Sequence, residues 1–100
     1  MTRTRFYIGL VTKDGNDVSQ NVVERCAWLV AGSYGGCTIY QTTGYWEDEH
    51  EPSMVIEALT DTESSEVSVV ALAKVLAILA NQSAVLWSME PVKGGFVKGI

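Results

Sequence analysis

The sequence is poor in the residues that build several common kinds of site. Cysteine occurs twice in 100 residues, at Cys26 and Cys37, and histidine once, at His50. Two thiols do not make a disulfide scaffold. Two thiols and one imidazole fall short of a structural zinc set. Basic residues are scarce too: 7 Lys and Arg face 12 Asp and Glu, a formal charge of −5. A chain this acidic lacks the electrostatic footprint that nucleic acid requires. Long apolar runs are missing. The longest, Val75 to Ala80, is too short to cross a bilayer, and Phe6 to Val11 is shorter than a signal-peptide core. Familiar catalytic motifs are missing as well. There is no Gly-x-Ser-x-Gly, no phosphate-binding glycine loop closed by Lys-Ser or Lys-Thr, and no Cys-x-x-Cys. His50 sits in the most solvated stretch, without the buried partner that a Ser-His-Asp triad needs.

What is present describes a globular chain. Hydrophobic residues make up 47% and charged residues 19%, unlike the composition of disorder. The length suits one domain over residues 1–100. The expectation is a soluble cytoplasmic protein with two free thiols, binding neither nucleic acid nor membrane.

Six elements can be read along the chain. Arg5 to Thr12 is rich in β-formers and closes on the turn Lys13-Asp14-Gly15-Asn16. Asp17 fits a helix N-cap, with Gln20 three residues on. Val22, Val23, Cys26, Ala27, Leu29 and Val30 follow at helical spacing; Gly32, Gly35 and Gly36 end that helix. Cys37 to Trp46 favours a pleated surface, and Gly44 within it marks a bulge or a close backbone approach. The acidic stretch Glu47 to Pro52 reads as a loop. Met54 to Thr60 is the third strand. The acidic, hydroxyl-rich run Asp61 to Glu66 suits a helix start. The helix from Ser65 to Ala80 is apolar nearly all round, so it wedges against the first helix or meets another subunit. Ala84 to Glu90 is the last strand.

The order β-α-β-β-α-β predicts a ferredoxin-like α+β fold. Right-handed crossovers put both helices on one face of an antiparallel four-stranded sheet. The other face lacks cover within the chain. Large residues such as Tyr7, Tyr40 and Trp87 are expected there, a patch of the kind that marks an interface, so a homo-oligomer is expected.

Chemistry-bearing residues cluster around the second and third strands. Glu47, Asp48, Glu49 and Glu51 form an acidic run without the glycine-turn spacing of a calcium loop. Glu51 stands apart. It precedes Pro52, which biases it to extended geometry, and it opens an apolar strand, where a half-shielded carboxylate can act on a ligand. Tyr40, Tyr45 and Trp46 read either as sheet packing or as an aromatic wall beside the carboxylates, suited to a flat cationic ring. Gln82 starts the last strand or bonds the helix C-terminus. Two function classes fit. One is an enzyme acting on a small cationic or purine-bearing molecule at a subunit interface. The other is a module of the same fold that only binds such a molecule.

Five segments together resemble a known family. They are Phe6-Tyr7-Ile8-Gly9-Leu10-Val11, Thr43-Gly44-Tyr45-Trp46, the strand led by Glu51, Gln82-Ser83-Ala84-Val85-Leu86 and the ending Lys98-Gly99-Ile100. In order and spacing the chain resembles the phage-encoded S-adenosylmethionine-degrading enzymes, lyases once called hydrolases. It is also similar to an uncharacterised bacterial domain family of this fold, through the glycine–tryptophan turn, Glu51-Pro52-Ser53 and Gln82-x-x-Val85-Leu86. The first resemblance implies an anti-restriction protein of the host cytoplasm, a homotrimer holding S-adenosylmethionine between subunits. It implies cleavage to methylthioadenosine and homoserine lactone by the substrate's own carboxylate, with no metal and no cofactor. Glu51 would hold the substrate amine or sense the sulfonium. Tyr40 or Tyr45 would position the methionine part, beside Trp46, and Gln82 would orient the substrate. The alternative stays open: a non-catalytic nucleotide-binding or sponge protein, whose cleft cations would come from Arg3, Arg5, Lys93 and Lys98.

Overall fold

A computed structural model describes residues 1–61 and 64–99. Thr62 and Glu63 of the acidic run, and the terminal Ile100, lie outside the described residues. The elements are β1 (Thr2–Gly9), α1 (Gln20–Tyr34), β2 (Thr38–Trp46), β3 (Glu49–Thr60), α2 (Glu66–Leu79) and β4 (Leu86–Pro91). The sheet order is β2-β3-β1-β4, and every neighbouring pair is antiparallel. This is the ferredoxin-like α+β arrangement of two split βαβ units.

The two central strands set the layers. Their register pairs Phe6 with Ile56 and Ile8 with Met54. Side chains alternate across a strand, so Thr4, Phe6 and Ile8 share one face with Met54, Ile56 and Ala58. All six are buried. Cys26 and Val30 of α1 and Val69, Ala73 and Leu76 of α2 complete that core. Both helices therefore lie on this face. The opposite face carries Arg5, Tyr7, Gly9, Glu51, Ser53, Val55 and Glu57 from the central strands, with Tyr40, Gly44 and Trp46 from β2.

Several boundaries differ from the sequence expectations. β1 starts and ends three residues earlier than Arg5–Thr12, because Leu10 to Val18 turns back on itself. Thr12 and Asn16 bond across the turn, and Gly15 supplies the left-handed φ of 84°. The N-cap of α1 is Ser19, not Asp17; the Ser19 hydroxyl accepts from the Val22 amide. Asp17 pairs with Val11 in an isolated bridge instead. Gly32 lies within α1, and Gly35 is its left-handed C-cap at φ 84°. Ser65 caps α2.

The acidic stretch is not a loop. Glu49, His50 and Glu51 belong to β3, and the hairpin turns on Glu47 and Asp48, with Glu47 at φ 54°. A run of carboxylates argues against a strand only where the strand is buried. Here both faces of the hairpin tip meet solvent, so the charges cost little. Trp87 is also misplaced by the sequence reading. It pairs with Phe6 and joins the helix-side core, leaving Leu86 and Ser88 on the uncovered face. α2 is wedged on one side only: Val67 and Ile78 remain 79% and 76% exposed, and Ile78 shares an apolar hollow with the 77% exposed Trp28 of α1.

The capping difference is measurable. Ser19→Ala should lower unfolding free energy by about 1 kcal/mol in urea titrations, the usual loss of a capping hydroxyl. Asp17→Ala should stay within about 0.5 kcal/mol, as an exposed residue outside the cap does.

Candidate functional site

The uncovered sheet face holds two adjoining groups of polar side chains. The first surrounds Gly9. Glu51 leans over from β3, and Gln82 reaches in from the turn after α2. A Cβ at Gly9 would stand 2.6 Å from Glu51 Oε1 and 2.6 Å from Gln82 Oε1. The two oxygens thus converge above one backbone position. Gln82 is held there from behind: its Nε2 donates to the carbonyls of Val11 at 2.9 Å and Ala80 at 3.1 Å. These two bonds fix the amide orientation, because a flipped amide would set oxygen against two carbonyl oxygens.

Trp46 forms the neighbouring wall. Its indole Nε1 lies 3.1 Å from where a Gly44 Cβ would be, so Gly44 is the floor under the ring. Gly44 pairs with Glu51 across the hairpin in an unbroken register, which places the indole beside the carboxylate. The glycine thus marks a close approach and not a bulge. Together with Tyr7, Ser53 and Lys13 these residues line a cavity of about 590 Å³, within the range of small-molecule sites. Glu51 is its carboxylate and Lys13 its ammonium.

Glu57 centres the second group. It is only 8% exposed although it faces the uncovered side. Arg5 Nε donates to Glu57 Oε1 at 2.8 Å and the Tyr40 hydroxyl to Oε2 at 2.9 Å. Arg3 approaches Glu57 at 3.8 Å and bonds Glu90 at 2.5 Å. Burial works against the Glu57 charge. The Arg5 and Tyr40 hydrogen bonds and the positive charges of both arginines outweigh it, holding the carboxyl below the ordinary range. The same contact with Glu57 pushes the Tyr40 hydroxyl up and keeps the Arg5 guanidinium protonated to higher pH. Tyr7 joins the two groups, lining both the Gly9 cavity and a smaller hollow of about 290 Å³ between Arg5 and Tyr40.

The sequence-predicted residues are therefore divided. Glu51, Gln82 and Trp46 meet in one cavity. Tyr40 lies on the same face but its hydroxyl is engaged by Glu57. Tyr45 points to the opposite face and stacks on His50, with ring centroids 5.6 Å apart. The three aromatics do not form one wall, since period-two alternation separates Tyr45 from Trp46. Among the described residues no group of three or more His, Cys, Asp or Glu side chains is placed to hold a metal ion. Gly9, Lys13 and Glu57 escaped the sequence reading. Gly9 carried the same signal as Gly44, a glycine within a run of β-formers. Glu57 was a lone carboxylate in an apolar strand, a position that calls for a partner.

No protein-family model and no curated protein sequence matches the chain. Solved structures do match. A phage SAM lyase in complex with S-methyl-5'-thioadenosine aligns at TM-score 0.69 and 18% identity, over 89% of this chain and 79% of that one. A DUF3240 family protein from Shewanella baltica aligns at TM-score 0.61 and 10% identity, over 97% of each chain. The divalent cation tolerance protein CutA1 from Thermus thermophilus aligns at TM-score 0.59 and 12% identity, over 96% of this chain and 88% of that one. At these identities the likeness establishes the fold. The resemblance to the phage enzymes and to a bacterial family of this shape, read first from short motifs, thus recurs in three dimensions.

The Glu57 group makes a pH prediction. A carboxyl whose pKa is lowered by folding adds stability that is complete above its unfolded pKa and is lost as pH falls through the folded one. Glu57→Gln should therefore destabilise the protein near neutral pH by about 1–3 kcal/mol, the loss of charge-assisted hydrogen bonds. In urea titrations the gap between wild type and variant should narrow as pH drops through and below the ordinary carboxylate range.

Proposed function

We propose that this chain is an S-adenosylmethionine lyase working as a homotrimer, with the ligand bound on the uncovered sheet face between neighbouring subunits. The observation that carries the proposal is the convergence of the Glu51 and Gln82 oxygens beside the Trp46 indole. A carboxylate, a second fixed acceptor and a flat ring suit a ligand that combines positive charge with a purine. The fold shared with a phage SAM lyase that binds S-methyl-5'-thioadenosine supports the same reading.

The reaction asks for no protein nucleophile. The substrate carboxylate attacks the methionine carbon bonded to the sulfonium. A carbon–oxygen bond forms and closes the lactone ring. The carbon–sulfur bond breaks, and its electron pair stays on sulfur. The products are homoserine lactone and methylthioadenosine, with no proton to transfer and no metal or cofactor needed. The protein must hold the substrate in the attacking conformer and exclude water. In this reading Glu51 and Gln82 bind the methionine part and Trp46 packs against the adenine. Tyr40 borders the lower end of the same face through Tyr7. Tyr45, on the other face, would reach a ligand only from a neighbouring subunit.

The nucleotide-sponge reading fits less well. Arg3 and Arg5 are occupied by Glu90 and Glu57, and the cavity is lined by Lys13 and by neither Lys93 nor Lys98.

Purified protein incubated with S-adenosylmethionine should yield methylthioadenosine and homoserine lactone on chromatography without added metal. Substrate that binds but survives long incubation would favour sequestration instead. Glu51→Gln should slow the reaction about tenfold to a hundredfold, as loss of roughly 1.5–3 kcal/mol of charge-assisted hydrogen bonding implies. Glu47→Gln and Glu49→Gln, at the solvated hairpin tip, should change it little, because exposed charges are screened.

Assembly is tested separately. Light scattering at micromolar concentration should give about three times the 10.9 kDa chain mass. A monomer would remove the inter-subunit site.

A further inference from the structure

We infer that the helix layer carries a ligand site of its own. The apolar hollow between α1 and α2 takes a free single-chain carboxylate, a fatty-acid-like amphiphile, with its head on Arg25 and its chain along Trp28 and Ile78. The hollow lies across the sheet from the Gly9 cavity, and the inference is independent of the function proposed for that cavity.

Arg25, Trp28 and Leu29 of α1 and Val75, Ile78 and Leu79 of α2 line a hollow of about 500 Å³, within the range of small-molecule sites. Five of the six side chains are apolar. Leu79 packs against the core, while Trp28 and Ile78 stay largely exposed. The core beneath is completed by Cys26, Val30, Ala73 and Leu76, so Trp28 and Ile78 add little to the fold. Single exposed apolar residues are ordinary, but a contiguous group of them marks contact with something apolar.

The charge selects the occupant. Arg25 has Asn21, Val22, Trp28 and Leu29 three and four positions away on α1, and none is acidic. Glu24 precedes it, but adjacent positions on a helix do not face each other. The part of α2 that lines the hollow, Val75 to Leu79, carries no acid either. Among the described residues the ion pairs belong to Arg3 and Arg5, and Arg25 has none. A guanidinium at the edge of an apolar hollow matches a carboxylate, which it can bind through two parallel hydrogen bonds. The apolar wall asks for a hydrocarbon chain behind that head.

Other occupants fit less well. An anionic membrane recruits clusters of Lys and Arg; this hollow has one cation, in a chain of net charge −5. A second copy laid hollow to hollow would set two Arg25 guanidinium groups against each other. A standard protein interface draws on about 20–30 residues a side, and six line this hollow.

The test follows the Trp28 indole N–H signal by NMR of the full chain, assigned by its loss in Trp28→Phe. The probes are dodecanoate, dodecyltrimethylammonium and acetate, all below micelle-forming concentrations. Dodecanoate should shift the signal saturably. Acetate, a head without a chain, should not. Dodecyltrimethylammonium should not either, although an acidic chain attracts cations in general; a preference for the anion therefore reports Arg25. Arg25→Gln should weaken dodecanoate binding about tenfold or more, the usual cost of a lost charge-assisted hydrogen bond. Ile78→Ser should weaken it through the apolar wall, and Glu24→Gln should leave it unchanged. All three positions are exposed, where substitutions usually leave stability nearly unaltered. No saturable response, an equal response to dodecyltrimethylammonium, or wild-type affinity in Arg25→Gln would each overturn the inference. So would a Trp28 shift that follows protein concentration alone, which assigns the hollow to a second copy, or binding to anionic vesicles without binding to free dodecanoate, which assigns it to a membrane.

Discussion

Everything in this structure depends on the register between β1 and β3. Pairing Phe6 with Ile56 and Ile8 with Met54 sends the large apolar side chains of both strands to the helices. The same pairing sends Arg5, Tyr7, Gly9, Glu51 and Glu57 to the other side. A slip of one residue would reverse both sets, burying an arginine and two carboxylates under α1 and α2. The core and the candidate site are thus two faces of one constraint. The hydrophobic gain on one face fixes the polar geometry on the other, without a separate device to position it.

Two glycines use that constraint in similar ways. Each lies on the uncovered face of an extended strand, where its missing side chain makes room. At Gly44 the space is taken by an indole, and at Gly9 by two oxygens. The scaffold supplies rigidity from the strands, while the groups that fill the spaces come from neighbouring segments: Glu51 from the next strand, Gln82 from the turn after α2, Trp46 two residues along. Gln82 is the most firmly anchored of these, because both protons of its amide are engaged by backbone carbonyls. Its oxygen behaves as part of the scaffold.

The fold was largely legible because its signals are local and mutually consistent. Element order, the helical spacing of Val22, Cys26 and Val30, and the glycines after α1 all point to one topology. The misreadings have physical causes. Asp17 and Ser19 are both good capping residues two positions apart, and sequence alone does not say where the chain turns from Gly15. The acidic hairpin reads as a loop from sequence because its charge is visible there and its exposure is not. The face that Trp87 occupies depends on the β4 register, which a shift of one residue reverses and which the sequence does not carry. Of the site, Glu51, Trp46 and Gln82 were visible as residues. Their meeting over Gly9 was not, because it joins three segments that only the tertiary fold brings together. Tyr45 was grouped with Trp46 by adjacency, and adjacency in a strand means opposite faces.

The charges on the uncovered face bear on how it can be covered. Arg3, Arg5, Glu57 and Glu90 carry two charges of each sign, and each is engaged within the group. An unpaired charge carried into an interface is costly. This group is already neutral and hydrogen-bonded within one chain, so a second surface can close over it without stranding a charge. The Gly9 cavity differs. Its two acceptors converge over Gly9, and among the described residues the cavity's ammonium, Lys13, makes no ion pair with Glu51. A surface laid over that end would bury them unsatisfied unless a ligand group or a neighbour's donor entered first. The uncovered face therefore has one half whose charges are already paired and one half whose acceptors call for a donor, and the two halves differ in what a covering surface would have to supply.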